Sequence, residues 1–285
     1  MLSKTLFCFP FLIYCCCSDL SGQVAFPEPS TASMLGMANN GLHSTQADAL
    51  MYNPAGLSFL TQTTLIFSGV NYWGLEDFNI WHTGLAAPLR AKDAIGIQFM
   101  GFTPGNFSYL VSGIAYARQL SGSLAMGIQG HFHQIAPGTN YSRVRSVGAT
   151  LGLQVQPTTG IRISALLSRA YPFQEYGSLP AYYPDTYKLG ILVHPVEAAD
   201  MTLEIRHSLY TDPEISWGIA YRFFREKALW RMGINWTKQV FTTGFGWNFL
   251  GLSMDISTLY QAQLGFTQAL SLTYKIGKKD GNSAD

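Results

Sequence analysis

The chain has 285 residues, enough for one large or two medium domains, yet only 12% of them are charged, about half the share usual in soluble proteins. Aromatic residues reach 14% and there are 28 glycines. No apolar run of about 18 residues follows the N-terminal segment, which excludes a spanning helix there, and a net charge of +1 with no basic stripe excludes a nucleic-acid partner. Low charge with many aromatics and glycines, and no spanning helix, points instead to a β-barrel whose outer face meets lipid.

Residues 1–22 read as an export signal: Lys4 supplies the positive start and Leu6 to Cys17 the apolar stretch, with cleavage near Gly22–Gln23. All four cysteines, Cys8, Cys15, Cys16 and Cys17, fall inside it, so the mature chain is expected to carry no disulfide and no thiol chemistry. Lipid attachment within the Cys15–Cys17 cluster is the alternative, and the bulky Tyr14 ahead of it argues against that.

Residues 23–60 hold few charges and many small residues, among them Ala32, Ser33, Gly36, Ala38 and Gly41, with no sustained strand pattern. Such a segment suits a confined space and is expected to form a plug inside a barrel. Its end, Gln46 to Leu57, is predicted to hold a short helix capped by Ser44 or Thr45, with Asp48 in the first turn. The helix must stop by Asn53, because a residue before proline is pushed out of the α region, and Gly56 is expected to allow a left-handed turn before Leu57.

From Thr61 onward, apolar and polar residues alternate in blocks of about ten. Met201, Leu203 and Ile205 oppose Thr202, Glu204 and Arg206. Trp230, Met232 and Ile234 oppose Arg231, Gly233 and Asn235. Phe241, Phe245 and Trp247 oppose Thr242, Gly244 and Gly246. The polar faces carry Gly, Ser, Thr and Asn with only an occasional charge, as a water-filled or plugged lumen would; a solvated outer face would carry more Lys and Glu. Trp73, Trp81, Trp217, Trp230, Trp236, Trp247, Tyr260 and Tyr274 fall near strand ends, where interfacial girdles sit. Strands are predicted over 62–72, 78–88, 93–103, 107–118, 122–135, 142–155 and 160–170, then 185–195, 200–210, 214–224, 229–238, 240–249, 251–260 and 263–276, the first four alternating less cleanly than the rest. The expectation is therefore an all-β transmembrane antiparallel up-and-down barrel over 61–277, of about fourteen strands, with a plug over 23–60 and a polar tail over 278–285. A large soluble β-sandwich is the alternative.

His131-x-His133 puts two imidazoles on one strand face, turned to the lumen. Two histidines could begin a metal site, but no third ligand is indicated, so no metal is expected. Glu204, Arg206, Arg222, Arg231 and Asp255 all fall on polar faces, as cross-strand ion pairs or as a polar track that steers a solute. No Ser-His-Asp order, paired-carboxylate site or phosphate-cradling glycine loop stands out, so neither an enzyme nor a cofactor is expected.

The order of an export signal, then a small-residue segment ending in Asp48-Ala49-x-x-x-Asn53-Pro54-Ala55-Gly56-Leu57, then about fourteen strands resembles the FadL-like outer-membrane family, and within it the PorV/PorQ-type proteins of Bacteroidetes. The resemblance implies a monomeric barrel in the Gram-negative outer membrane whose N-terminal hatch blocks the lumen, with Asn53, Pro54, Ala55 and Gly56 setting the hatch's gating turn. It implies passage of hydrophobic, fatty-acid-like molecules across the outer membrane. For the PorV/PorQ branch it implies an accessory role in type IX protein secretion. The partners implied are outer-membrane lipid, a hydrophobic solute or a lipid or detergent molecule, and, for that branch, secretion-system proteins.

Overall fold

A strand whose apolar and small polar residues alternate has one face for oil and one for a polar interior, and fourteen such strands close on themselves here. A computed structural model of the chain describes residues 30–138, 142–172, 185–208, 211–224 and 227–277. The export segment, most of the tyrosine-rich connection before Asp185 and the polar tail lie outside these residues.

The strands are β1 (Thr63–Asn71), β2 (Asn79–Arg90), β3 (Asp93–Phe102), β4 (Ser108–Gln119), β5 (Leu124–Ala136), β6 (Val144–Thr158), β7 (Ile161–Pro172), β8 (Thr186–Val196), β9 (Ala199–Ser208), β10 (Glu214–Phe223), β11 (Ala228–Asn235), β12 (Val240–Phe249), β13 (Leu252–Gln261) and β14 (Gly265–Ile276). Each pairs antiparallel with its neighbours in sequence, and β14 pairs back onto β1 from Thr63↔Ile276 to Asn71↔Gln268. Closure leaves no open edge, so the strands' backbone groups are bonded within the wall, as a lipid environment demands. Strand lengths run from 8 residues in β11 to 15 in β6, bracketing the roughly 9–11 that a tilted strand needs to cross a bilayer core. At the near rim, where β1 begins and β14 ends, hairpins are short. Leu250 and Gly251, with φ of 46° and 86°, join β12 to β13 with both central residues left-handed, the arrangement that matches strand twist.

The outer face is apolar all round. Phe67, Ile114, Leu189, Phe241, Ile256 and Phe266 are among its exposed residues, and Ile114 reaches 66%. An apolar coat on every strand far exceeds the few hundred Å² that a monomer tolerates in water, and lipid tails account for it. Trp81, Trp230, Trp236, Trp247, Tyr260 and Tyr274 are exposed as a girdle requires, whereas Trp73 turns onto Tyr72 and Phe78 in the β1–β2 connection.

The inner face is more varied than the polar lumen expected from the later strands. On β8–β14 it does carry Gly, Ser, Thr and a few charges. On β1–β5 it carries two apolar clusters, one around Ile80, Met100, Phe102, Tyr109, Val111 and Ile135 towards the far rim, the other around Ile66, Ala86, Ala94, Ala115 and Ala117 towards the near rim. This explains the weaker alternation of the first strands: their inward positions face apolar partners, so both faces read as hydrophobic.

Candidate functional site: a plug seated in the lumen

Residues 30–60 fold inside the cylinder. They form α1 (Ala32–Leu35), α2 (Ala49–Tyr52) and a 3-10 turn (Pro54–Phe59). Almost every residue from Ser30 to Ser58 is buried. Thr31 caps α1 by accepting the Met34 N–H, and Ala38 and Asn39, with φ of 56° and 67°, reverse the chain after it.

The expected cap of α2 is different in fact. Asp48, not Ser44 or Thr45, occupies the cap position, and its carboxylate makes no cap bond. Instead it accepts the hydroxyls of Ser33, at 3.2 Å, and Ser44, tying the first arm of the plug to the second. Burial pushes the Asp48 carboxyl above its usual range; the two hydroxyls and Arg231 pull it back, and Asp255 adds to the rise.

Asn53 ends α2 as its proline neighbour requires, with φ −162° and ψ 106°. It is wholly buried and works in three directions. Its Oδ1 accepts the Ala55 N–H at 3.1 Å, capping the 3-10 turn. Its Nδ2 donates to the Leu42 carbonyl at 3.0 Å, within the plug, and to the Leu153 carbonyl of β6 at 3.2 Å. Pro54 starts the 3-10 turn, where a missing N–H costs nothing. Gly56 lies inside that turn rather than in a left-handed one; it must be glycine because a Cβ there would overlap the Ser44 carbonyl oxygen. The motif thus positions a tight crossing of two plug segments.

The wall is cut to fit. Inward glycines stand where plug atoms approach: Gly84 and Gly96 under Leu50, Gly127 under Pro54 and Ala55, Gly152 under Asn53, Gly190 under Leu42, Gly218 and Gly233 under Met37 and Ala38, and Gly244 under Gly36. At Gly127 and Gly233 a Cβ would press on plug backbone, which cannot rotate aside. Between these contacts the wall offers hydrogen bonds. Ser271 accepts the Ala32 N–H at 2.7 Å, and Thr242 accepts the Ala38 N–H at 2.9 Å and donates to the Gly36 carbonyl at 3.0 Å. Gln154 donates to the Leu42 and Ser44 carbonyls at 3.0 and 3.1 Å, and Arg162 to the His43 carbonyl at 3.0 Å. Among the described residues no plug segment pairs with a strand edge, so this part of the plug is held by side chains and shape.

The charged residues singled out from the sequence all face inward, in separate groups. Glu204 anchors the plug: it accepts the Leu42 N–H at 2.7 Å and lies 3.7 Å from His43 Nδ1. Arg206 stands opposite Lys188 on β8 and Glu214 on β10, and Glu214 is paired with Lys238 at 2.8 Å. Arg222 pairs with Asp200 at the near rim and reaches the Glu197 carbonyl at 2.8 Å. Arg231 meets Asp255 at 2.5 Å, across β12 at Gly246, where a side chain would block the pair. His131 and His133 do face the lumen, 5.7 Å apart; His131 Nε2 lies 2.9 Å from Thr150 Oγ1, and His133 stacks on Tyr109. Gln154, Arg162, Thr242 and Ser271 escaped the sequence reading, since an inward Ser, Thr or Gln looks alike whether it meets water or plug backbone.

No protein-family model and no curated protein matches the sequence. Among solved structures, the chain is similar to the toluene transporter TodX of P. putida, at a TM-score of 0.66 and 13% identity over 88% of this chain and 99% of that one. It is similar to the CymD monoaromatic hydrocarbon channel, at 0.66 and 13% over 87% and 98%. A FadL homologue of Pseudomonas aeruginosa gives 0.58 and 13% over 87% and 98%. At such identities the likeness is one of fold: this chain shares the closed barrel architecture of the FadL and TodX structures across nearly their whole length.

Proposed function

We propose that this protein is an outer-membrane channel for hydrophobic small molecules, gated by residues 30–60, and not an enzyme. The observation that carries the reading is the plug itself. It lies buried inside the barrel almost throughout from Ser30 to Ser58, yet it is seated by side-chain hydrogen bonds and glycine contacts that can be exchanged one at a time, without unzipping a strand. Towards the far rim, the inner side of β2–β5 carries a buried aromatic and aliphatic cluster, with Phe78 and Phe107 packed on Phe102. Names of the similar structures, a toluene transporter and a monoaromatic hydrocarbon channel, agree with an apolar cargo. The fatty-acid-like cargo that the sequence resemblance implied is one such apolar solute. Asn53, Pro54, Ala55 and Gly56 are the gating residues in this reading, because they set the crossing that locks the plug.

The test is uptake of a labelled hydrophobic solute by cells carrying the full-length barrel in the outer membrane, alongside conductance in planar bilayers. Deleting residues 24–56 should raise leakage sharply. Unchanged conductance and no solute uptake would remove the channel reading, and co-purification with secretion components would then favour the type IX accessory role.

A further inference from the structure

The outer face of the wall changes character around the far rim. Towards that rim most strands keep an exposed aromatic or aliphatic residue on the outside: Trp81 on β2, Leu110 on β4, Phe241 on β12, Tyr260 on β13 and Phe266 on β14. Three neighbouring strands do not. On β6 the outward run of Leu153, Leu151, Ala149 and Val147 gives way to Arg145, with Arg143 just beyond the strand; on β7 Ile163, Ala165 and Leu167 give way to Arg169; on β9 Leu203 and Ile205 give way to His207. All four of these basic residues are exposed, whereas Ser146, the inward neighbour of Arg145, is buried.

Their charge is not spent within the barrel. Among the described residues no carboxylate pairs with Arg143 or Arg145. Arg169 pairs with Asp185 at 3.2 Å and lies over the Tyr171 ring at 5.2 Å, so its guanidinium bends towards the rim while its stem stays against the wall. By contrast Lys238, also at the far rim, is drawn to Glu214 at 2.8 Å. Directly below Arg145 the outer face holds a shallow slot. Gly130 and Ala149 are register partners there, framed by Phe132 with Val147 on the far-rim side and by Ile128 with Leu151 on the other. A Cβ on Gly130 would meet nothing within 4 Å, so the slot is open, and its row continues to Arg169. A guanidinium at the edge of an apolar band stands at the depth of lipid headgroups, and its planar fork matches the oxygens of a phosphate.

We propose that the far-rim outer face of β5–β7 binds a lipid with a phosphate-bearing headgroup, with Arg143 and Arg145 on the phosphate oxygens and an acyl chain in the slot of Gly130 and Ala149. This rests on the outer-membrane placement of the reading above and not on what passes through the barrel. A lipid is favoured over a soluble anion because the arginines border an apolar wall that continues beneath them, so one molecule meets both.

Full-length protein in detergent micelles, offered equimolar diphosphoryl lipid A and the same lipid stripped of its phosphates, tests it, with the retained lipid read by native mass spectrometry. The wild type should retain the phosphorylated form in preference. Arg143→Gln with Arg145→Gln should lower that preference about 25-fold, roughly fivefold for each guanidinium at a charged membrane surface. Arg118→Gln removes an outward cation of the opposite rim, one paired with Asp93 at 3.4 Å, and should leave the preference unaltered. Gly130→Leu fills the slot while keeping every charge, and should weaken retention; it serves if the arginine variants fail to assemble, as judged by heat-modifiable gel mobility. Equal retention of the two lipids by the wild type overturns the site, as does a loss in Arg118→Gln as large as in the double variant, or displacement of the lipid by inorganic phosphate at the same concentration. Protein that does not insert into phosphatidylcholine vesicles overturns the membrane placement itself, whereas insertion with equal retention overturns the lipid site alone.

Discussion

Replacing Asn53 by alanine is the most direct probe of the seat of the plug. The side chain is fully buried, and its loss removes the cap on the Ala55 N–H together with the donors to Leu42 and Leu153. The Leu42 carbonyl keeps Gln154 as a partner, so its share of the loss is small. The Ala55 N–H has no replacement, and burying it unpaired costs about 1–3 kcal/mol, overlapping a capping loss of about 1 kcal/mol. A weakening of about 2–3 kcal/mol in seating corresponds to a rise of roughly 30- to 150-fold in the unseated population. The strand pairs do not use this side chain, so the closed barrel should survive. In planar bilayers the open fraction of Asn53→Ala should rise towards that of the 24–56 deletion, with heat-modifiable mobility unchanged. Asn53→Asp keeps an acceptor for Ala55 but faces two carbonyls with a carboxylate, and should open at least as much. An Asn53→Ala channel that stays as closed as the wild type would refute the claim that this residue locks the plug.

Other outcomes follow from the same contacts. Gly127→Val should unseat the plug because its side chain would enter the space of Pro54 and Ala55, while Gly130→Val on the same strand, with open space around it, should leave conductance unchanged. Burial holds the Asp48 carboxyl above its ordinary value of 3.8, so the seated plug binds that proton more tightly than the released segment does. Seating is then strongest on the acidic side and weakens as pH rises through the window above 3.8; the open fraction should climb with pH in the wild type and lose that step in Asp48→Asn. Arg231→Leu alone strands Asp255 beside Asp48 and should cost about 3–5 kcal/mol in thermal or denaturant unfolding, whereas Arg231→Leu with Asp255→Leu should recover most of it.

Much of the architecture was legible because a barrel strand writes its two faces in a period of two. Met232 and Arg231, or Phe245 and Gly244, must point to opposite sides, and residues of such different polarity leave little choice of which side meets lipid. Each of the fourteen predicted blocks corresponds to a strand, with boundaries off by a few residues where hairpins such as Trp236–Gln239 interrupt the pattern. The helix stop at Asn53 was legible for an equally local reason, the steric demand of Pro54.

What chain order cannot carry is distance through space. Gly56 looks like a turn former, and only the approach of Ser44 makes it a packing residue. Asp48 looks like a first-turn residue behind a Ser44 or Thr45 cap, yet it stands at the cap position and its carboxylate reaches back to Ser33. Gln154, Thr242 and Ser271 look like lumen polarity and prove to be the plug's anchors, because the partner of each lies more than a hundred residues away in the chain. Alternation by itself determined strands with one apolar and one polar face; closure came with the pairing of β14 on β1. Which inward atoms meet plug backbone and which pair with each other was decided only when the segment from Ser30 to Leu60 folded into the space that the wall encloses.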